Sequence, residues 1–240
     1  MRFYSLKLKL WDDKIIDEKS NGPKVYPQAS GSHISNSNGY LGINGKIHLG
    51  NYVDNAPVFD YFYLYNSSYQ VEYDWILLDA YTFIGENTPS IRGFLISEKF
   101  KQVLDKFIIA DPYRFYASKL MYQGKKLDYC ILHLAQDEWQ EFQSKKSSFY
   151  ISDNKENKKL NIEIKGNREL KKIIKDCEND SQELRMNLFL NNYADMFFFS
   201  QFNYVVSERL KEAMEKSKME GFDYQLLEKV TFNFTRNLPS

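Results

Sequence analysis

Apolar and polar residues alternate from the start of the chain. Tyr4, Leu6, Leu8 and Leu10 are separated by Ser5, Lys7 and Lys9, a period of two that predicts a half-buried strand. Residues 18–57 break this pattern. They hold six of the eleven glycines among many Ser and Asn, which predicts loops and short strands. Val58 to Phe83 is dense in Tyr, Phe and Trp, side chains that favour strands. Within it Asn66-Ser67-Ser68 reads as the turn of a hairpin. Arg114–Tyr122 and Leu127–Leu134 flank Gln123-Gly124-Lys125 and predict a second hairpin. Ser148–Ile151 and Leu160–Ile164 predict further strands, separated by a charged loop from Asp153 to Lys159. Residues 187–206 form a second aromatic stretch.

Helices are fewer. Ile91–Ile96 leads into a helix capped by Ser97, with Glu98 at the positive end of the helix dipole. Phe100, Val103, Leu104 and Phe107 then share one face at i, i+3, i+4 and i+7. Asn167 opens a short helix carrying Leu170, Ile173, Ile174 and Cys177 on one side. A third helix repeats the first. Leu95-Ile96-Ser97-Glu98-Lys99-Phe100-Lys101 aligns with Val205-Val206-Ser207-Glu208-Arg209-Leu210-Lys211, and Leu104-Asp105-Lys106 with Met214-Glu215-Lys216, at an offset of 110 residues. The expected fold is therefore α+β, mostly antiparallel sheet with a few amphipathic helices and two similar strand-to-helix units near 91–108 and 202–217. The 240 residues make one α+β domain, divisible into an aromatic, acidic half (1–110) and a second half (111–240).

With 43% apolar and 16% aromatic residues the chain can bury a substantial core. Its 32 basic and 32 acidic residues cancel, which argues against a dedicated nucleic-acid binder. Cys130 and Cys177 lie in apolar-periodic stretches and are expected to be buried thiols in a reducing compartment. No stretch of about 18 apolar residues occurs, so the cytoplasm is the expected location.

Known catalytic patterns do not fit. Ser97 and Ser207 lack the flanking glycines of a nucleophile elbow, and no glycine pattern suits a phosphate loop. His33 and His48 have no ligand spacing, so neither a metal nor a cofactor is expected. His133 stands three residues from Cys130; on a strand the two point to opposite faces, which leaves a hydrogen-bonded structural histidine as the simplest reading.

The most informative feature is a gap in the charges. Between Ile47 and Ile91 there is no Lys or Arg, while Asp54, Asp60, Glu72, Asp74, Asp79 and Glu86 stand among eleven aromatics. About six basic residues are expected in that length by proportion. Two readings remain open: a buried central hairpin that excludes Lys, or a surface that docks a basic partner through carboxylates and aromatic anchors. On the second reading the contact residues are Asp60, Tyr61, Tyr63, Glu72, Asp74, Trp75, Asp79 and Glu86.

Tyr73-Asp74-Trp75-Ile76-Leu77, the two Ser-Glu-basic segments, Tyr129-Cys130-Ile131-Leu132 and Met219-Glu220-Gly221-Phe222 follow one another in an order that resembles a bacterial family. That family was first catalogued as a domain of unknown function and later assigned as immunity proteins of polymorphic-toxin systems. The resemblance covers roughly residues 58–230. It implies a cytoplasmic antitoxin that binds and neutralises a cognate toxin effector domain, basic in the electrostatically simplest case, without catalytic residues. The basic segment Lys155–Lys175 and the stretch Glu138–Ser144 depart from the family pattern, and residues 18–57 lie outside it. The alternatives are an enzyme with a nonstandard site near His133, or an adaptor that forms homodimers through Phe197–Tyr204. No direct contact with membrane or nucleic acid is expected.

Overall fold

The computed structural model describes residues 1–9, 28–31, 34, 46–47, 50–64, 77–84, 88, 90–153, 158–164, 167–179 and 182–236. The fold is α+β and mainly sheet. Six strands form a closed barrel, a feature that the alternation pattern does not predict: β2 (Gln28–Ser30), β3 (Phe59–Leu64), β4 (Ala80–Ile84), β5 (Gly93–Ser97), β6 (Tyr113–Tyr122) and β7 (Lys125–Leu134), ordered β2-β3-β6-β7-β5-β4. A central sheet has the order β11-β12-β1-β13, made of β1 (Phe3–Leu8), β11 (Met196–Phe199), β12 (Asn203–Ser207) and β13 (Phe222–Leu226). An outer sheet has the order β14-β10-β8-β9, made of β8 (Ser148–Asp153), β9 (Lys158–Ile162), β10 (Glu183–Asn192) and β14 (Val230–Arg236). Helices α1 (Glu98–Leu104) and α4 (Glu208–Lys216) follow β5 and β12; α2 (Glu138–Glu141) and α3 (Asn167–Asn179) flank the outer sheet.

The alternation in β1 points Leu6 and Leu8 towards the barrel, where they join Phe94, Ile96, Leu132 and the buried faces of α1 and α4. Phe3 points the other way, into a core with Phe197, Phe199, Leu188 and Phe232. Up to Ser5 the strand is thus covered on both faces, where half-burial is expected. Ser5 itself is buried and donates to the Phe202 carbonyl at 2.8 Å. A third core fills the barrel with Phe59, Phe62, Tyr81, Leu95, Tyr116 and Tyr129.

The β6–β7 hairpin forms as expected, with Tyr122 opposite Lys125. Gln123 and Gly124 have φ of 46° and 72°, the left-handed pair that a two-residue hairpin turn needs. A hairpin within Val58–Phe83 is not seen between β3 and β4, because β2 lies between them in the barrel; its expected turn, 66–68, is outside the described residues. A division at 110/111 passes through the barrel, since β5 pairs with β7.

One set of pairings occurs twice. β2 pairs antiparallel with β3, β3 parallel with β6, β6 antiparallel with β7, then β7 with β5 and β5 with β4. Correspondingly, β8 pairs antiparallel with β10, β10 parallel with β14, β13 antiparallel with β1, then β1 with β12 and β12 with β11. The second unit takes β1 from the start of the chain, and β13 with β14 fills the place of β6. The units differ at one edge: β2 also pairs with β4 and closes the barrel, whereas β8 pairs with β9.

Gly93 shows how tightly the barrel wall is built. A Cβ at this position would collide with the Leu132 carbonyl on β7, so the backbone itself would have to move. Gly93→Ala is expected to destabilise the fold by about 2–4 kcal/mol, measured as a lower denaturant midpoint with an unchanged slope.

Candidate interaction surface and the carboxylate clasps

The charge gap of residues 47–91 is filled by the fold. Lys126 at the start of β7 donates to Asp60 on β3 at 2.6 Å and lies 4.9 Å from the centre of the Tyr61 ring. Arg114 on β6 donates to Asp54 from Nε at 3.1 Å and Nη2 at 3.0 Å, with its guanidinium 3.9 Å over Tyr52. Lys119 and Asp128 make a further ion pair across β6 and β7. Tyr63 stands opposite Met121, and Met121 opposite Lys126. Asp60, Tyr61 and Tyr63 thus lie together, half-exposed, on the outer face of the barrel. Glu72, Asp74, Trp75 and Glu86 lie outside the described residues.

Asp79 does not belong to that surface, contrary to the expectation that it is a contact residue. It is buried, and its carboxylate accepts from the Ser97 hydroxyl at 2.6 Å, Lys99 Nζ at 3.2 Å and the Glu220 amide at 2.8 Å. The Ser97 hydroxyl in turn accepts from the Phe100 amide at 3.1 Å. A hydroxyl can cap a helix and donate to a carboxylate at once, because it carries both a donor and lone pairs. An ionised Asp cap, which only accepts, would lack that donor.

The second unit repeats this arrangement around Asp195. Its fully buried carboxylate accepts from the Ser207 hydroxyl at 2.6 Å, Arg209 Nε at 2.6 Å, the Tyr193 hydroxyl at 2.6 Å and the Ile108 amide at 3.0 Å; Arg209 Nη2 completes a two-pronged contact. Ser207 caps α4 through the Leu210 amide at 3.3 Å. The two caps have nearly the same backbone, φ −69° and ψ 156° at Ser97 against −70° and 157° at Ser207. The contacts are also reciprocal. Asp79 holds Glu220, just after the second helix of the pair, and Asp195 holds Ile108, just after the first. Burial by itself raises the Asp195 carboxyl, but hydrogen bonds from Arg209, Ser207, Tyr193 and Ile108 outweigh it and hold the group below its ordinary value. Burial and then Asp195 push the Tyr193 phenol up to about 12.

His133 is completely buried on the inner face of β7, 3.5 Å through Nδ1 from the Tyr116 hydroxyl. Cys130 faces the opposite side, against α1, and burial pushes its thiol up to about 12. It is therefore a packed thiol and a poor nucleophile. Phe197 and Phe199 are fully buried, and Phe198, Phe202 and Tyr204 pack against the cores. Phe198, Phe202 and Tyr204 are half-buried, so the aromatic face expected to self-associate is partly covered by the chain's own cores. No group of three or more His, Cys, Asp or Glu suited to a metal occurs among the described residues, and no helix among them is long and apolar enough to cross a membrane.

Sequence reasoning identified Ser97 and Ser207 as caps but missed Asp79 and Asp195 as their partners. The signal was present: Leu78-Asp79-Ala80-Tyr81 and Ala194-Asp195-Met196-Phe197 each place one acid inside an apolar run ahead of a repeated unit. Comparison with protein-family models and with curated proteins finds no match to this chain.

Removing the Asp195 charge tests the clasp. Asp195→Asn is expected to cost about 3 kcal/mol at neutral pH, as for other broken buried pairs. Because the folded carboxyl titrates below its unfolded value of roughly 3.9, this contribution is complete above the unfolded value and disappears as pH falls through the folded one. Denaturant titrations from pH 7 downwards should therefore show the gap between the wild-type and Asp195→Asn stabilities constant above about pH 5 and narrowing at the acid end.

Proposed function

We propose that this chain is an immunity protein of a bacterial polymorphic-toxin system, acting in the cytoplasm by binding a cognate toxin domain one to one. The reading rests on the ordered segments Leu95–Lys101, Tyr129–Leu132, Val205–Lys211 and Met219–Phe222 and their resemblance to that family. The contact surface we assign is the outer face of the barrel, where Asp60, Tyr61 and Tyr63 stand half-exposed beside Lys126, together with Glu72, Asp74, Trp75 and Glu86.

The observation that supports this surface is its chemistry. Tyrosines supply broad, rigid contact area at low entropic cost, and carboxylates steer a basic partner towards them. Asp54 and Asp60 already carry intramolecular partners in Arg114 and Lys126. A basic toxin would therefore exchange one ion pair for another at these two positions. Such an exchange favours fast, salt-sensitive association over a large gain in affinity.

The test is to read the neighbouring gene and to co-express this chain with the variable C-terminal domain of a large secreted protein encoded there. Rescue of growth and a one-to-one complex on sizing chromatography are expected; toxicity that persists with no complex formed would remove the reading. Reversing charge at Asp60, Glu72 and Asp74 together is expected to weaken toxin binding at least tenfold and flatten its salt dependence. Unchanged affinity in this triple variant would move the interface elsewhere.

A further inference from the structure

The outer sheet ends in an open edge. Among the described residues β9 pairs only with β8, antiparallel, with Ile162 opposite Phe149, Asn161 opposite Tyr150 and Leu160 opposite Ile151. A strand edge of this kind presents backbone donors and acceptors and is a template for pairing with another chain. Leu160, Asn161 and Glu163 are exposed. At 63%, Leu160 is the most exposed large apolar side chain described after Met1. It shares the face of Ile162, which packs with Ile151, Ile173 and Ile174 against the core under α3. The apolar face of this sheet thus runs out to the open edge and ends there in solvent.

The sequence of β9 is complementary to its own reverse. Two copies that meet edge to edge about a two-fold axis pair antiparallel, and opposite residues lie on the same face of the joined sheet. With the axis at Asn161, Leu160 meets Ile162 on the apolar face and Lys159 meets Glu163 on the polar face. Apolar and opposite-charge pairs directly across two strands both stabilise the pairing. Moving the axis to Leu160 or to Ile162 separates Lys159 from Glu163. Lysines on an edge discourage pairing when they face each other; in the Asn161 register they face acids. Arg168, Lys172 and Lys175 lie on the side of α3 opposite Leu170, Ile173 and Ile174, so that basic stripe points away from the sheet.

We propose that β9 pairs antiparallel with β9 of a second copy of this chain, joining two four-stranded outer sheets into one. A strand of five residues is a small interface beside the roughly 1,200 Å² of stable complexes, so the homodimer forms in a concentration-dependent equilibrium. The barrel face assigned to a toxin belongs to another sheet, and this inference holds whatever that face binds.

Sedimentation of the full-length protein from micromolar to millimolar concentration is expected to show monomer and dimer in equilibrium. Leu160→Glu, at an exposed position, should weaken dimerisation roughly tenfold or more. Glu163→Lys should weaken it too, and Lys159→Glu combined with Glu163→Lys should restore it. Cross-linking reads the register. Asn161 faces its own copy across the axis, within disulfide reach, whereas Leu160 is offset from its own copy along the diagonal. Mild oxidation should therefore link two copies of Asn161→Cys, but not of Leu160→Cys or of Asp176→Cys on α3; the native Cys130 and Cys177 are buried and do not compete. A chain that stays monomeric at millimolar concentration, a dimer that Leu160→Glu leaves intact, or cross-linking of Asp176→Cys in place of Asn161→Cys would each overturn the proposal.

Discussion

Two buried carboxylates, Asp79 and Asp195, hold the parts of this molecule in register. Each satisfies the hydroxyl that caps its own helix and the backbone beyond the other helix. An ionised carboxylate is costly to bury, and it is tolerated where several donors converge on it. Here the donors come from different elements, so satisfying the charge also positions those elements. The helices α1 and α4 cannot drift along their sheets without exposing an unsatisfied acid. Lys99 and Arg209 complete the two clasps with different geometry, a single ammonium contact and a two-pronged guanidinium contact.

Around these clasps the two units have diverged in how they close. In the first, β2 bridges β3 and β4, and the interior fills with Tyr and Phe. In the second, β8 turns away to β9, and the space is filled by packing the central sheet on the outer sheet. The closed unit has its mouth covered by residues of its own chain. In the second unit Ser5, Lys7 and Gln225 line a cleft together with Leu184, Met186 and Phe202. A strand taken from the start of the chain, β1, lies between β12 and β13 and contributes to both cores.

The charge asymmetry along the chain has a related explanation. A stretch without Lys or Arg lies beside strands that carry them, and folding pairs Asp54 with Arg114, Asp60 with Lys126 and Asp79 with Lys99. Segregation in sequence becomes complementarity in space. Surface pairs of this kind add little stability each; their larger effect is to leave a barrel face with mixed charges and half-exposed tyrosines.

Local patterns settled much of the secondary structure. The period of two in β1, the Gln123-Gly124 turn, the Ser caps and the apolar faces of α1, α3 and α4 are all short-range consequences of sequence, and so is the 110-residue repeat of a capped helix. The partners of these elements were not legible, because pairing depends on contacts between residues distant in the chain. Nothing near Phe59 announces that β2 will separate β3 from β4. Nothing local to Asp60 announces Lys126, 66 residues away. Asp79 illustrates the limit most clearly: its apolar flanks point to burial, but only tertiary structure brings Ser97, Lys99 and Glu220 onto it. The sequence by itself determined β1, the β6–β7 hairpin and the capped helices α1 and α4, because those choices are made within a few residues. The tertiary structure decided which charges face solvent and which hold the fold together, because burial and pairing are set by chain segments that meet only after folding.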